Sequence, residues 1–228
     1  MSRLSNPSRG LVLCYVTDRH GLDGSESREQ QEALLLKIGS AAAAGVDWIQ
    51  IREKDLLGRD CQLLTRQALQ VTARSPAGSA VRLLVNDRLD VALSGGAAGV
   101  HLGEKSLPLP DSRRLAESRG RKKDFLIGVS CHALEAALSA AGSGADYVFF
   151  GPVFATPSKT AFGAPQGLRR LAKVCRAVPI PVLAIGGITL ANSSDCLAAG
   201  VSGIAAVRLF QDAPDLSAVV QSLRNLTR

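Results

Sequence analysis

The stretch PVLAIGGITLANSSDCLAAGVSGIAAVRL, residues 181–209, holds two short apolar runs separated by one amphipathic segment. The runs, at residues 181–187 and 203–209, are bounded by glycine, proline or charged residues, which is typical of parallel strands buried on both faces. The segment between them has the pattern of a helix, and its end at Ala-Ala-Gly200 predicts a helix C-cap. This stretch therefore predicts a strand, a helix and a second, parallel strand.

The same unit recurs along the rest of the chain. Six further apolar runs precede this stretch, at residues 11–17, 48–52, 82–86, 99–102, 125–130 and 147–153. Amphipathic segments separate them; the first is expected to start with Ser27 as N-cap and to close near Gly45, and a final helix is expected over residues 215–226. Eight strands alternating with eight helices predict an α/β fold, a single (β/α)₈ TIM barrel over residues 1–228, with residues 1–10 as a flexible extension. The alternative, a doubly wound open sheet, would need fewer strands or a reversal of strand order.

Composition narrows the class of protein. A hydrophobic content of 46% is ample for a core, and the net charge of +7 comes from scattered basic residues, which favours small polyanionic substrates over nucleic acid. The five cysteines show no metal-binding spacing, and several lie in apolar runs, as in proteins of a reducing compartment. No apolar run has the length of a membrane span. We therefore expect a cytoplasmic protein without nucleic-acid or membrane partners, and its oligomeric state is left open.

The strongest local signal for function is YVFFGPVFATPSK, residues 147–159. A buried strand is followed directly by the hydroxyls of Thr156 and Ser158 and by the ammonium of Lys159. Hydroxyls and a cation at a strand end suit an oxyanion such as phosphate. The alternative is a polar loop that only solvates the end of the strand.

The end of the second strand carries a second cationic group. Active groups of this barrel gather at the C-terminal ends of the strands, and strand alternation places Gln50, Arg52 and Lys54 on one side. Unpaired charges near a barrel interior are costly, so these residues indicate a ligand. The alternative is that they form salt bridges with Glu53 or Asp55.

The third and fifth strands end in further polar groups. Asn86 and Asp87 could hold Mg²⁺ and the polar edge of a ligand, or could cap the following helix. Ser130 could donate to an oxyanion, whereas His132 could act as a general acid or base, or could simply begin a helix.

The last two loops are expected to hold a phosphate. Gly187 precedes a helix and leaves backbone N–H groups bare, and the loops after the seventh and eighth strands of such barrels commonly seat phosphate. This site would comprise Gly187, Val207, Arg208, Thr156 and Ser158. Arg52, Lys54 and Lys159 remain for a second anion, so the sequence predicts the joining or cleaving of phosphorylated molecules.

Motifs along nearly the whole chain, from about Tyr15 to the last helix, resemble those of thiamine phosphate synthases and their close relatives, the thiazole tautomerases. The motifs are YVTD at Tyr15, QIREK at Gln50, NDR at Asn86, GVHLG at Gly99, GVSCH at Gly128, GADYVFFGPVFATPSK and PVLAIGGI. The resemblance implies a transferase of thiamine biosynthesis. It would couple 4-amino-5-hydroxymethyl-2-methylpyrimidine pyrophosphate to a (carboxy)thiazole phosphate, releasing pyrophosphate with Mg²⁺ as cofactor.

The resemblance also implies a role for each matched residue. The pyrimidine pyrophosphate would be held by Gln50, Arg52, Glu53, Lys54 and Asn86, with Ser130 and Lys159 on its leaving group. The thiazole phosphate would be held by Thr156, Ser158, Gly187, Val207 and Arg208. Arg52, Ser130 and Lys159 would be the catalytic residues, and Asp87 would bind Mg²⁺.

One departure from the family pattern keeps other functions open. Ser106 stands where the synthases carry a second acidic Mg²⁺ ligand, and Glu104 could reach in instead. A weakened metal site would suit a thiazole tautomerase, with His132 as its acid or base. It would also suit a non-catalytic relative that binds thiazole phosphate.

Overall fold

Eight parallel strands close into a barrel in the order in which they occur along the chain. The computed structural model describes residues 10–75, 81–121, 124–156 and 164–227. The strands are β1 (Val12–Val16), β2 (Trp48–Ile51), β3 (Arg82–Asn86), β4 (Gly99–Leu102), β5 (Leu126–Cys131), β6 (Tyr147–Phe150), β7 (Val182–Ile185) and β8 (Gly203–Ala206). The predicted (β/α)₈ barrel is therefore confirmed, and the open-sheet alternative is wrong.

The barrel closes through the pairing of β1 with β8, in which Val12 is opposite Gly203 and Tyr15 is opposite Ala206. Every strand then has a neighbour on both sides, so the sheet has no open edge. The strands are apolar because one face packs on helices and the other fills the barrel. The interior is filled by Cys14, Val16, Trp48, Leu84, Leu126, Tyr147, Phe149, Leu183 and Ala205.

The helices surround the barrel and follow the strands in turn. They are α1 (Ser27–Ala44), α2 (Gly58–Ala73), α3 (Leu89–Gly95), α4 (Leu109–Ser118), α5 (Leu134–Gly142), α6 (Gly167–Ala177), α7 (Leu190–Ala198), α8 (Arg208–Gln211) and α9 (Leu216–Asn225). The expectation of one helix after each strand is wrong at β1 and β8, where a 3₁₀ turn (Arg19–Gly21) precedes α1 and the single turn α8 precedes the closing helix α9. None of the helices in the described ranges is long and apolar enough to cross a bilayer.

The helix ends refine the predicted boundaries. Ser27 was expected to be the N-cap of α1, but Glu26 is the cap and Ser27 is the first helical residue. Glu26 and Glu29 form a capping box at this end, in which each carboxylate accepts from the backbone N–H of the other residue, and Glu29 also accepts from the N–H of Ser25 at 2.9 Å. At the other end Gly45 closes α1 as predicted, with a left-handed φ of 90°.

Candidate active site

The C-terminal ends of β2 and β3 meet through a side-chain hydrogen bond. Nε2 of Gln50 donates to Oδ1 of Asn86 at 2.9 Å, so the two predicted ligand-binding amides lie side by side. Gln50 is only 1% exposed, and its Oε1 atom is buried with no hydrogen-bond partner in the described part of the chain. A buried acceptor without a donor is costly. The orphaned oxygen can therefore accept a hydrogen bond from a donor group of a ligand.

Two cations, Arg52 and Lys54, closely follow β2. Among residues 10–75, 81–121, 124–156 and 164–227, no carboxylate lies within ion-pairing distance of Arg52 or Lys54. The two acidic residues of the same segment pair with Arg19 instead: Glu53 at 3.1 Å and Asp55 at 2.7 Å. The alternative of salt bridges to Glu53 or Asp55 is therefore wrong within these ranges.

Arg19 anchors a buried network that sequence reasoning missed. Arg19 is 3% exposed and Glu53 is 6% exposed, and Glu53 also accepts from the hydroxyl of Thr17 at 2.5 Å. The same Thr17 hydroxyl accepts from the backbone N–H of Arg52 at 3.0 Å, so the network reaches the backbone of the cationic segment. The signal was the charged run Asp18-Arg19 directly after an apolar strand. The carboxylate of Glu53 is thus engaged by protein groups, and a direct contact between Glu53 and substrate stays a prediction.

Removal of Arg19 is expected to destabilise the barrel. In Arg19→Gln the carboxylate of Glu53 stays buried without its cation, so we expect the free energy of unfolding at pH 7 to fall by about 3 kcal/mol. Chemical denaturation measures this loss. Arg28→Gln removes an exposed ion pair with Glu32 and should change the stability by less than about 1 kcal/mol.

The same substitution should also make the free energy of unfolding depend less on pH in acid solution. Hydrogen bonds from Arg19 hold the pKa of Asp55 well below its usual range. A lowered carboxyl pKa adds stability above the unfolded-state pKa and loses it as pH falls, so the difference between wild type and Arg19→Gln should shrink below about pH 4. A difference that stays constant from pH 7 to pH 3 would contradict this coupling.

The charges of Arg52 and Asp87 at the rim shift the pKa of Lys54. The positive charge of Arg52 lowers the pKa of Lys54, burial lowers it further, and the negative charge of Asp87 opposes both. The structure therefore brings together three charged side chains that the sequence assigned to one site. Crowded cations beside one carboxylate favour binding of a polyanion, since the polyanion relieves their repulsion.

Asp87 is held in an unusual backbone conformation. Its φ of 67° is in the left-handed region, and its N–H donates to the carbonyl oxygen of His101 at 2.8 Å. The alternative that Asn86 or Asp87 caps the next helix is wrong, because Arg88 occupies the N-cap position of α3. The side chain of Asp87 instead accepts from the hydroxyl of Ser106, which in turn accepts from the N–H of Gly103 at 2.7 Å.

These oxygens fit a magnesium ion that is held partly by substrate. Mg²⁺ in enzymes commonly takes one or two carboxylates and completes its shell with water and phosphate oxygens. Asp87 and Ser106 place a carboxylate and a hydroxyl next to each other at the exposed rim. Within the described residues no cluster of three or more acidic, histidine or cysteine side chains could hold a metal alone. Glu104 lies in the same loop as Ser106, and its predicted contact with the metal stays a prediction.

The end of β5 carries two polar side chains with different partners. Oγ of Ser130 lies 2.9 Å from Nε2 of His101, a contact that sequence reasoning did not predict. Nδ1 of His132 contacts the carbonyl oxygen of Gly151, so this nitrogen carries the proton. His132 therefore sits at the junction of β5 and β6 with one ring nitrogen already engaged.

The loop after β7 lies tightly against the loop after β6. Gly187 has a φ of 67°, and a Cβ atom there would lie 2.5 Å from the carbonyl oxygen of Ala155 and 2.8 Å from Cβ of Phe154. Only glycine fits this approach. The adjacent hydrogen bond from the N–H of Phe154 to the carbonyl oxygen of Gly186, at 3.0 Å, fixes the two loops together.

The predicted phosphate residues are distributed around this junction. Thr156 follows Ala155 directly, Val207 is the N-cap of α8, and Arg208 is the exposed first residue of that turn. Ser158 and Lys159 lie outside the described residues. Among the described members of the two predicted anion-binding groups, Arg52 and Lys54 follow β2, whereas Thr156, Gly187, Val207 and Arg208 lie in the loops after β6, β7 and β8.

Comparisons with known proteins identify relatives over most of the chain. A family model described as thiamine monophosphate synthase matches residues 14–210. A thiamine-phosphate synthase of Methanoculleus marisnigri is 44% identical over 185 residues, which are 81% of this chain and 83% of the relative. A thiamine-phosphate synthase of Roseiflexus sp. is 38% identical over 217 residues, 95% of this chain and 85% of the relative. The solved structure of thiamine phosphate pyrophosphorylase from Pyrococcus furiosus matches with a TM-score of 0.78 and 32% identity, and 95% of each chain is covered.

Proposed function

The chain belongs to the thiamine monophosphate synthase family, and we propose that its barrel rim couples a pyrimidine pyrophosphate to a thiazole phosphate with release of pyrophosphate. The observation that carries this proposal is the pair of cations, Arg52 and Lys54, whose neighbouring carboxylates are bound by Arg19. Cations without acidic partners at a barrel rim are suited to the charge of a departing pyrophosphate.

The amide pair at the ends of β2 and β3 suits the pyrimidine. The orphaned Oε1 of Gln50 needs an N–H donor, and the amino group of an aminopyrimidine supplies one. Because Nε2 of Gln50 is already bound to Asn86, the orientation of this amide is fixed before the substrate arrives. The substrate's methylene carbon would then lie close to the cations that receive its leaving group.

The chemistry needs charge stabilisation more than a strong base. The bond between the methylene carbon and the pyrophosphate oxygen can break first, because the electron-rich pyrimidine ring delocalises the positive charge that results. Arg52, Lys54 and Ser130 would stabilise the departing pyrophosphate, and Lys159 is a further predicted contact. The thiazole nitrogen then attacks the carbon and forms thiamine phosphate, with pyrophosphate as the leaving group; a carboxythiazole substrate would also lose its carboxyl group as carbon dioxide.

Magnesium would be held by Asp87, with the hydroxyl of Ser106 beside it. Ser106 occupies the place of an expected carboxylate, and it contacts Asp87 directly, so it can orient that carboxylate while adding no negative charge. When bound, Mg²⁺ would neutralise charge on the pyrophosphate oxygens. Glu104 is a predicted additional contact.

The thiazole phosphate would bind at the junction of the β6, β7 and β8 loops. Gly187 lies just before α7, where backbone N–H groups can bind a phosphate, and the positive side chain of Arg208 is exposed at the start of α8. Thr156 and Ser158 are the predicted hydroxyl contacts. Both proposed ligands are small phosphorylated molecules, and a cytoplasmic location would suit them.

A direct assay tests this function. Purified protein is mixed with the two phosphorylated substrates, with and without Mg²⁺, and thiamine phosphate and pyrophosphate are followed by chromatography. We expect both products in equal amounts, and only with the metal. Turnover of a carboxythiazole phosphate alone, lost in His132→Ala, would instead identify a tautomerase. Binding of the thiazole phosphate without any product would identify a non-catalytic relative.

A further inference from the structure

A line of hydrogen bonds crosses the barrel interior and ends at the rim. Oη of Tyr147 on β6 lies 3.1 Å from Nδ1 of His101 on β4, and Nε2 of His101 lies 2.9 Å from Oγ of Ser130 on β5. Tyr147 is fully buried and His101 is 1% exposed, whereas Ser130 is half-buried. We call Tyr147, His101 and Ser130 the relay.

The strand register explains how residues on β4 and β6 can meet. His101 is paired with Gly128, and Gly128 is paired with Tyr147, so the three residues occupy one level of three neighbouring strands. The middle strand offers no side chain at this level. A Cβ atom on Gly128 would lie 2.0 Å from Cζ and 2.4 Å from Oη of Tyr147, so the glycine makes room for the phenol to reach the imidazole.

The aromatic packing holds the imidazole in place. The ring of His101 lies 4.1 Å from that of Phe149, centroid to centroid, and the ring of Tyr147 lies 4.7 Å from that of Trp48. These rings leave His101 little freedom to rotate away from Ser130.

Both ring nitrogens of His101 face a hydroxyl, Tyr147 at Nδ1 and Ser130 at Nε2. A neutral imidazole has one donor and one acceptor nitrogen, and the phenol of Tyr147 has a proton to donate.

Only one direction of the relay uses every buried proton. If Tyr147 donates to Nδ1, then the N–H at Nε2 donates to Ser130, and the Ser130 proton is free to point outward. In the opposite direction the phenol proton of Tyr147 would need another acceptor, and the described residues offer none. A buried donor without an acceptor costs free energy, so the first direction is favoured.

We propose that His101 is a positioning residue, which fixes the hydroxyl of Ser130 as a hydrogen-bond donor to the pyrophosphate. This inference rests on the proposed function, which assigns Ser130 to the leaving group. Without the relay the hydroxyl could rotate and present a lone pair to an anion. With the relay, the N–H of His101 occupies one of the two lone pairs and cannot receive the hydroxyl proton, which is left to point toward the ligand.

A double-mutant cycle tests the relay, with inorganic pyrophosphate and Mg²⁺ as the probe and calorimetry as the readout. We expect Ser130→Ala and His101→Leu each to weaken pyrophosphate binding about tenfold, as for loss of one hydrogen bond to a charged group. The double variant should be no weaker than either single variant, because His101 acts only through Ser130. His101→Gln keeps an N–H near the position of Nε2 and should recover most of the affinity.

Two further variants make the result unambiguous. Tyr147→Phe keeps the ring and removes only the phenol hydroxyl, so it should weaken binding in wild type and have no effect in the Ser130→Ala background. Thr65→Val removes a buried hydroxyl on the outer helix α2 and should leave the affinity unchanged.

The outcomes separate the relay from the proposed function. If wild type binds pyrophosphate and His101→Leu binds it equally well, or if the losses add in the double variant, the relay is wrong while the function stands. If wild type does not bind pyrophosphate, the assignment of this rim to the leaving group is wrong, and the proposed role of the relay is wrong as well.

Discussion

Replacing Asp87 with asparagine is expected to lower kcat/KM of the coupling reaction about 1,000-fold, since a metal ion supplies several kcal/mol of charge stabilisation. The residual activity should no longer respond to Mg²⁺. The reason is specific to this chain. Ser106 is neutral, so Asp87 is the carboxylate of the predicted metal pair, and its loss cannot be offset by a second acidic ligand at position 106.

Asparagine is the right replacement because it isolates the charge. Asp87 has a φ of 67°, which asparagine tolerates and alanine does not. The amide oxygen of asparagine can still accept from Ser106, so the loop should stay in place. Thermal unfolding of Asp87→Asn should therefore match that of wild type.

The control is a carboxylate on the neighbouring helix. Asp90 lies in the first turn of α3 and pairs with Arg88 at 2.6 Å. Asp90→Asn makes the same change in charge three residues away, and should leave the Mg²⁺ response intact. Full activity of Asp87→Asn with an unchanged Mg²⁺ requirement would contradict the assignment of the metal to Asp87.

Replacing Arg52 with glutamine should lower kcat/KM about 100-fold, as for removal of one preorganised donor to a developing anion. The effect should be large because Arg52 is not paired with any carboxylate in the described ranges, so its charge is available to the ligand. Steady-state kinetics with varied pyrimidine pyrophosphate measures the loss.

The same variant should change the ionisation of Lys54. Arg52 is the main cause of the lowered pKa of Lys54, so its removal should raise that pKa toward the ordinary lysine value. Nuclear magnetic resonance of labelled lysine follows the shift directly. Arg66→Gln on α2 makes the same change in net charge at an exposed site bonded to Ser94, and should alter neither quantity. An unchanged Lys54 pKa in Arg52→Gln would show that the two cations do not share one site.

The barrel could be predicted because its strands are buried on both faces and read as continuous apolar runs. Each predicted run contains an observed strand, and Gln50 and Asn86, near the C-terminal ends of two of these strands, do meet at one rim. The short turn α8 was not predicted, since four residues are too few for a helical period to be visible.

The partners of the site residues were harder to predict than their positions. Arg19 and Glu53 are 34 residues apart in the sequence and lie in the loops after β1 and β2. Nothing in the sequence of either loop specifies that these two residues pair. His101 lies within the apolar run GVHL and looked like part of a strand. Its contact with Ser130 depends on the register between β4 and β5 and on the missing side chain at Gly128, which only the folded barrel reveals.

The pairing of β1 with β8 has a consequence during synthesis. β1 leaves the ribosome first, yet one of its two hydrogen-bonding neighbours is made about 190 residues later, when translation reaches Gly203–Ala206. Until then one edge of this apolar strand has no partner, although β2 can already pair with the other edge. We therefore expect closure of the barrel to wait until the eighth strand has been translated.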